Sequence, residues 1–565
     1  MSFTRRSFLG LTAAAAATAA VGSSASASAS AAGPAAAALP GAAVAVSPPG
    51  DVVGKITAGY QGWFACRGDG APIDAWWHWA RQADQAPSTT NTVIKSWPDV
   101  REYTTTYQTA FPALGDGRPA RLFSSYDQQT VDTHLRWMAE NGIHTAALQR
   151  FNPFGGEGPT RDVMASRTRT AAERAGVKFY VMYDVSDWYA MRNQITQDWT
   201  TKMSAHVASP AYARQNGKPV VGIWGFGFDD AQRPFTPQEC QEVVDWFKAQ
   251  GCYVMGGVPT WWREGTGDSR PGFGGVYRSF DMISPWLVGR IGTVAGADDF
   301  YARATVPDLA ECTRLGIDYQ PCVLPGDLQE GQRAHGDFLW RQFYNHARAG
   351  VASAYVSMFD EYNEGNQIAK TAATAADVPA GSGMRALDED GTACSSDYYL
   401  RLTNDGGRLL RGEIALTAVR PTPPVVGGGP GPVTGLVTLR ARANAQYVQA
   451  RQTDGGTLVA AGPSVGSWER FRLEELGGGV VALRADVDGR YVCAEDAGAQ
   501  PLVADRAAVG AWERFRLEDL GGGAVALRAE VVNGRYVCAE GGGAQPLVAN
   551  RTAVGPWETF DLVRL

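Results

Sequence analysis

Between residues 55 and 359, short apolar runs alternate with stretches in which apolar residues recur every three or four positions. The runs are 55–63, 143–149, 178–185, 219–226, 252–258, 280–286, 317–323 and 353–359, eight in all. Their length, β-branched and aromatic content and flanking turn residues predict strands. Helical patterns lie between most of them, for example 127–141 and 238–250, the latter stopped by Gly251. Parallel neighbours need crossover helices, so eight strand–helix alternations predict an α/β fold, a (β/α)8 TIM-like barrel over residues 51–420. The first insertion, 65–122, is long and aromatic, suited to wall a cleft.

The pattern changes after a Pro/Gly-dense break at 421–432. Residues 433–565 form an internal triplicate with a period of 44 to 45 residues. The copies begin at Val437, Val481 and Val525, carry Tyr447, Tyr491 and Tyr536, and close on Trp468-Glu469, Trp512-Glu513 and Trp557-Glu558. Each reads as about four short strands, and three copies make twelve, the count of an all-β β-trefoil. Three blades would not close a propeller. The repeated Trp-Glu pairs suit glycan binding, the indole as a stacking face and the carboxylate as a hydroxyl acceptor; repeated core packing explains the tryptophans equally well. Copy one departs, with Gln449 for Cys493 and Cys538, Arg451 for Glu495 and Glu540, and Gly462 for Arg506 and Arg551. One site of three is therefore expected to be weak.

Charge and composition narrow the classes. The 565-residue chain has 51 basic and 58 acidic residues and no basic run, which argues against a nucleic-acid partner. Thr4-Arg5-Arg6-Ser7-Phe8-Leu9, an Ala-rich stretch and small-x-small sites predict a twin-arginine signal peptide over 1–35, with a linker at 36–50. No later run of 18 apolar residues follows, so a secreted, extracellular protein without a membrane anchor is expected. Eight cysteines lack CxxC spacing and six histidines are scattered, which leaves no metal site and no cofactor to assign. Cys240 with Cys252 and Cys312 with Cys322 are near enough in sequence for local bridges, and buried thiols fit as well. A monomer is expected.

In a TIM-like barrel chemistry sits where strands end. Those ends hold Tyr60, Gln61 and Trp63, Gln149 and Arg150, Tyr183 and Asp184, Trp224, Trp261 and Trp286, with His78 in the first loop. The last strand is followed by Asp360, Glu361, Tyr362, Asn363, Glu364 and Gln367. Aromatic, carboxylate and amide groups at one rim suit a sugar site. Glu361 and Glu364, three apart on one turn, are placed to act as acid and base on one glycosidic bond. A solvated acidic loop is the plain alternative; its position after an apolar strand favours chemistry.

Phe359-Asp-Glu-Tyr-Asn-Glu-Gly-Asn-Gln-Ile368 resembles the W-N-E-W-H-E-G-T-Q-I segment of glycoside hydrolase family 99, the endo-α-mannosidases, and the broader 71/99-like secreted proteins of xylosidase/arabinosidase type. Gly59-Tyr-Gln-Gly-Trp-Phe64, Trp76-Trp-His-Trp79, Tyr183-Asp-Val-Ser186, Lys218-Pro-Val-Val-Gly-Ile-Trp224 and Ser396-Asp-Tyr-Tyr-Leu400 extend the resemblance over about residues 52–405. It implies a retaining mechanism in which Glu361 acts as base on the sugar's own 2-hydroxyl, giving a 1,2-anhydro sugar. Glu364 is then acid to the leaving group and base to the incoming water. Asp360, Tyr362 and Asn363 replace the family's Asn, Trp and His, so a preference for α-mannosides does not transfer with the glutamates. The C-terminal copies resemble fascin-like and carbohydrate-binding trefoils.

Three function classes follow. The first is a secreted glycoside hydrolase on a polysaccharide or glycan. The second is a non-catalytic glycan-binding protein on a hydrolase-like barrel. The third is a metal-dependent hydrolase using Asp184, Asp360 and Glu364, which no ligand spacing supports.

Overall fold

In the computed structural model each of the eight apolar runs contains a strand: β1 Ile56–Tyr60, β2 Thr145–Arg150, β3 Lys178–Asp184, β4 Lys218–Trp224, β5 Tyr253–Val258, β6 Met282–Pro285, a split β7 at Asp318–Tyr319 and Cys322–Val323, and β8 Ala354–Val356. Neighbours from β1 to β6 pair in parallel, and β8 pairs in parallel with β1. The split strand serves both sides: its first half pairs with β6 and its second with β8. Gln320-Pro321 separates the halves, and proline has no N–H to give to a ladder. The result is a parallel, TIM-like α/β domain.

β1, β2 and β5 are buried along their whole length, as parallel strands covered on both faces must be. The helix Pro237–Ala249 starts in a capping box between Thr236 and Glu239 and stops before Gly251, whose φ is +78°. Because the strands are parallel, the loops after β1 to β8 leave from one rim, and the candidate residues gather there.

The described residues are 46–425, 435–477, 480–521, 524–529 and 532–564, and they divide into two units at Pro424/Val425. The signal-peptide reading over 1–35 lies outside them, as do 36–45 of the first linker and 426–432 of the second. The described ends of both linkers are not free spacers. The backbone N–H groups of Val46 and Ser47 donate to Asp318 Oδ1 at 3.1 and 2.8 Å, and Gln215 Nε2 donates to the Pro48 carbonyl at 2.9 Å. Ser395 N reaches the Pro424 carbonyl at 3.0 Å and Arg401 Nη1 that of Pro423 at 3.0 Å, so the first domain runs past residue 420 to 424. The aromatic insertion largely buries itself: Trp76, Trp79, Trp97 and Phe111 belong to the parallel domain's own core. Cys240, Cys252 and Cys312 are buried thiols, so neither local bridge forms.

The second unit has four strands per copy among the described residues: β9 Gly435–Ala441, β10 Tyr447–Arg451, β11 Thr457–Gly462 and β12 Phe471–Gly477 in copy one. Copy two holds β13 Val480–Ala485, β14 Tyr491–Ala494, β15 Leu502–Arg506 and β16 Phe515–Gly521, and copy three β17 Ala524–Ala529, β18 Arg535–Ala539, β19 Leu547–Arg551 and β20 Phe560–Arg564. The first and last strands of the copies pair antiparallel in sequence, β9–β12–β13–β16–β17–β20, and β20 returns to β9. The middle two strands of each copy form a hairpin. The equivalent Val437, Val481 and Val525 and Phe471, Phe515 and Phe560 fill one core, which is why the sequence repeats there.

Candidate active site

The turn after β8 is built to hold two carboxylates still. Glu364 N donates to the Glu361 carbonyl at 3.1 Å, and Gly365, at φ +71°, lets the chain reverse. A side chain at 365 would also strike Asp327 Oδ1, 2.7 Å from the Cβ position. Arg333 lies buried beneath the turn, donating to the carbonyls of Gly326 at 3.1 Å, Gly365 at 3.0 Å and Gln367 at 2.8 Å. Lys95 pairs with Asp327 at 2.9 Å on the same loop. Glu361 and Glu364 are both buried, and Gln61 Nε2, just past the end of β1, donates to Glu361 Oε1 at 2.7 Å.

Asp360 fastens this turn to the first loop. Its two oxygens accept from the backbone N–H groups of Gln61 at 2.7 Å and Gly62 at 2.8 Å. It is an anchor and not a sugar contact. Burial pushes its carboxyl up to about 6, with the two N–H groups pulling the other way. Between the ordinary Asp value, about 4, and about 6, the folded chain holds a proton that the unfolded chain has released. Stability should therefore fall as pH rises through that window, by up to about 1.4 kcal/mol per pH unit. Chemical denaturation at several pH values should show this slope in the wild type and lose it in Asp360→Asn, whatever constant offset the amide adds. An unchanged slope in the variant would assign the titration elsewhere.

Other candidates divide by the face of the strand they leave from. Gln149 points inward, its Nε2 donating to Tyr355 Oη of β8 at 2.9 Å in the interior of the parallel domain. Arg150, next in sequence, points outward to Asp198 at 2.7 Å and Asp162 at 2.6 Å, and Tyr183 Oη donates to the same Asp198 at 2.9 Å. Tyr60 Oη contacts His134 Nδ1 at 3.1 Å on the helix Gln128–Glu140. Tyr60, Arg150 and Tyr183 thus join strands to helices and leave the list of sugar contacts. Asp198→Ala should lower stability by about 3–5 kcal/mol, because it removes the main partner of a buried guanidinium. The KM of the folded fraction should stay unchanged, and a raised KM with intact stability would return Arg150 to the site.

Four further expectations change. Tyr362 is core: its ring packs at 6.0 Å from Phe64 and its hydroxyl donates to the Lys370 carbonyl at 2.9 Å. Gln367 accepts from Ser96 Oγ at 2.9 Å and donates to Thr371 Oγ1 at 2.8 Å, which engages both ends of its amide. Trp63 is stacked between His78, 3.8 Å away at 16°, and Phe151, 5.2 Å away at 21°, so neither face offers a platform. Asp184 Oδ1 accepts from Ser186 N and Oγ at 3.0 and 2.6 Å, closing its own turn.

What remains near the rim is a smaller set. His78 sits at φ +60° with no protein partner on either ring nitrogen. Burial, then the charge of Arg161, lowers it to about 3, so the ring is neutral at ordinary pH. Asn363 Oδ1 and both ends of the Asn366 amide are buried without hydrogen bonds. Trp224 and Trp286 meet edge to face at 5.1 Å, with Arg233 4.5 Å over Trp224. Trp261 is set apart in a cleft of about 340 Å³ with Arg290, Thr293 and Phe300.

Sequence reading missed two arginines. Arg161 is buried and donates to the carbonyls of Gly62, at 2.9 Å, and Gln149, tying the first two rim loops together. Its signal was available: it stands on the buried stripe Arg161, Met164, Ala165, Thr168, Ala172 of the helix Gly158–Ala175, where a lone charge demands a partner. Arg333 lies in a loop with no periodicity to mark it.

In the second unit the Trp-Glu pairs divide. Glu469, Glu513 and Glu558 are buried, and each accepts from the backbone N–H three residues earlier, Gly466 at 2.8 Å, Gly510 at 2.6 Å and Gly555 at 2.8 Å. They staple their own turns and are withdrawn as surface acceptors. The indoles are the outward partners, Trp512 36% and Trp557 42% exposed.

No family model matches the sequence, and no curated protein matches it. Among solved structures the chain is similar to the GH99 endo-alpha-mannosidase from Bacteroides thetaiotaomicron, at 15% identity over 64% of this chain and 98% of that one, with a TM-score of 0.45. It is similar to ThreeFoil, a designed 3-fold symmetric protein, at 24% identity over 23% of this chain and 99% of that one, with a TM-score of 0.22. The Macrolepiota procera ricin B-like lectin, solved with lactose, matches at 16% identity over 23% of this chain and 96% of that one, with a TM-score of 0.21. These are likenesses of fold only.

Proposed function

We propose that the chain is an exported, retaining glycoside hydrolase that cleaves an O-glycosyl bond in a polysaccharide or glycan. Its parallel domain is a (β/α)8 barrel with Glu361 and Glu364 as the acid/base pair, and its second unit is a β-trefoil that holds it on polymer. The observation that carries the reading is the turn 361–364. It brings two buried glutamates, three residues apart, to the end of the last strand of a parallel domain, one of them fixed by Gln61 from the first loop.

In this reading Glu361 takes the proton of the sugar's 2-hydroxyl, and that oxygen closes on the anomeric carbon as the bond to the leaving group breaks. Glu364 gives its proton to the departing oxygen. It then takes one from water, which opens the 1,2-anhydro ring while Glu361 returns a proton to O2. Each glutamate ends as it began. Burial strengthens the effect of whichever glutamate is ionised at each step by excluding water. Neutral His78 and the amides of Asn363 and Asn366 supply donors and acceptors for sugar hydroxyls, and the Trp224–Trp286 pair an apolar wall. Export as a monomer, with no nucleic-acid partner and no cofactor, completes the proposal.

Product release from plant, yeast and fungal polysaccharides tests it. Sugar is expected from the wild type and from neither Glu361→Gln nor Glu364→Gln. A folded wild type that binds polymer yet releases nothing would favour the non-catalytic glycan-binding reading.

A further inference from the structure

The three copies of the second unit act as internal controls for one another. In copy three, Arg551 Nη2 donates to Glu540 Oε2 at 3.0 Å, Asn550 Nδ2 donates to Glu540 Oε1 at 2.7 Å, and Arg551 Nε lies 3.8 Å from the buried Glu558. The Trp557 indole stands over the turn that follows Glu540, 3.8 Å from where a Cβ on Gly542 would be. Copy two repeats the arginine–glutamate pair, but Asp505 stands where copy three has Asn550, and both its oxygens accept from Arg506 Nη1 at 2.6 Å. Arg506 donates to Glu495, lies 3.9 Å from Glu513 and is followed round the turn by Trp512. The Trp512 and Trp557 carbonyls accept from Ala494 N and Ala539 N, both at 2.8 Å, which holds the backbone of each tryptophan beside the residue that precedes its glutamate.

Copy one keeps the scaffold and loses the chemistry. Ala450 N still donates to the Trp468 carbonyl at 2.9 Å. Gly462 occupies the arginine position, and a Cβ there would meet Glu469 Cγ at 2.7 Å, so the glutamate itself fills the space that Arg506 and Arg551 take. Arg451 stands where the others have Glu495 and Glu540, 3.7 Å from Asp454 and facing no equivalent acid. Trp468 is half-buried, whereas its counterparts are exposed.

We infer that copies two and three each carry a site for a neutral pyranose, built from an exposed indole and an arginine–glutamate pair, and that copy one carries none. The indole offers a flat apolar face for the C–H side of the ring. The guanidinium donates and the carboxylate accepts, so adjacent ring hydroxyls can engage both at once. The arginine and glutamate side chains stay partly exposed, 34% and 35% in copy two and 39% and 18% in copy three, open to a ligand while already oriented. Two such sites on one unit make the chain bivalent toward a polymer, where linking raises avidity by about 10²–10⁴. The inference rests on the proposed polymer-targeting role of this unit and assigns that role to particular residues.

The test is co-sedimentation of the full chain, in a Glu364→Gln background, with washed yeast cell walls, cellulose and chitin. Retention is expected on at least one polymer. Trp512→Ala and Trp557→Ala should each lower it at least about tenfold, given the avidity lost. The double variant should fall to the level of an unrelated protein, and Trp468→Ala should stay within about twofold of the parent, a single equivalent indole outside any pair. Matching thermal melts in all variants would exclude unfolding, since the indoles are exposed. No retention on any polymer, equal damage from Trp468→Ala, or undiminished retention in the double variant would overturn the inference. Product release by the chain with native Glu364 is scored separately: retention without release sinks the hydrolase reading alone, and release without retention sinks this one alone.

Discussion

Glu364→Gln is expected to lower turnover on a natural glycan by about 10²–10⁴-fold, the usual worth of a positioned general acid. The melting temperature should change little, because glutamine keeps the size of the side chain on a turn held by other residues. Leaving-group dependence identifies the role. An aryl glycoside with an acidic phenol needs no protonation to depart, so Glu364→Gln should cost much less on that substrate than on polymer. Glu361→Gln should cost the same on both, because the 2-hydroxyl must be deprotonated in either case. A Glu364→Gln defect of equal size on the two substrates would remove Glu364 from the acid role.

Arg333→Ala should be the change away from the glutamates most damaging to turnover. The guanidinium is buried and donates to the carbonyls of Gly326, Gly365 and Gln367, two of which belong to the turn 360–367, and of the three the Gly365 carbonyl keeps a second donor, Leu328 N at 3.0 Å. A buried carbonyl left without its donor costs about 1–3 kcal/mol. Some of that sum is returned because a buried charge disappears, burial being what lowers the Arg333 pKa. A net loss of about 2–4 kcal/mol in denaturant unfolding is expected, from two buried carbonyls left without a donor less the part returned. The folded fraction should also have a reduced kcat. Arg333→Lys should recover part of the stability but little of the kcat, because an ammonium cannot reproduce the fork that spans separate carbonyls. A loss below about 1 kcal/mol would show that the turn holds itself together.

Much of the architecture was legible in sequence because its signals are local. All eight apolar runs contain a strand, with bounds shifted by a few residues, and Gly251 ends its helix as expected. The twelve strands of the second unit follow the repeat. The ends of the linkers show what composition does not: 46–50 and 421–424 have the composition of spacers, yet their backbones hydrogen-bond to Asp318, Gln215, Ser395 and Arg401.

Within the site, the turn 360–367 could be found from the sequence because its carboxylates and glycine are consecutive. The direction of the other rim side chains could not. In strands buried on both faces, hydropathy does not mark which face is the lumen. Gln149 and Arg150 are neighbours with opposite fates, and so are Tyr60 and Gln61. The copies of the second unit add a second lesson, since Glu513 is buried and Trp512 exposed, the reverse of their polarity, because the turn gives the carboxylate a backbone N–H to bind.

By itself, then, the sequence determined the order of strands and helices, the threefold repeat and the turn that carries Glu361 and Glu364, all set by residues within a few positions of one another. Tertiary structure decided which polar groups face a common space and which are fixed by distant partners: Gln61 to Glu361, Arg161 to the first two rim loops, Arg333 to the turn 360–367. Those choices depend on hydrogen bonds and ion pairs between residues up to 300 positions apart, and such partners leave no periodic trace in the chain.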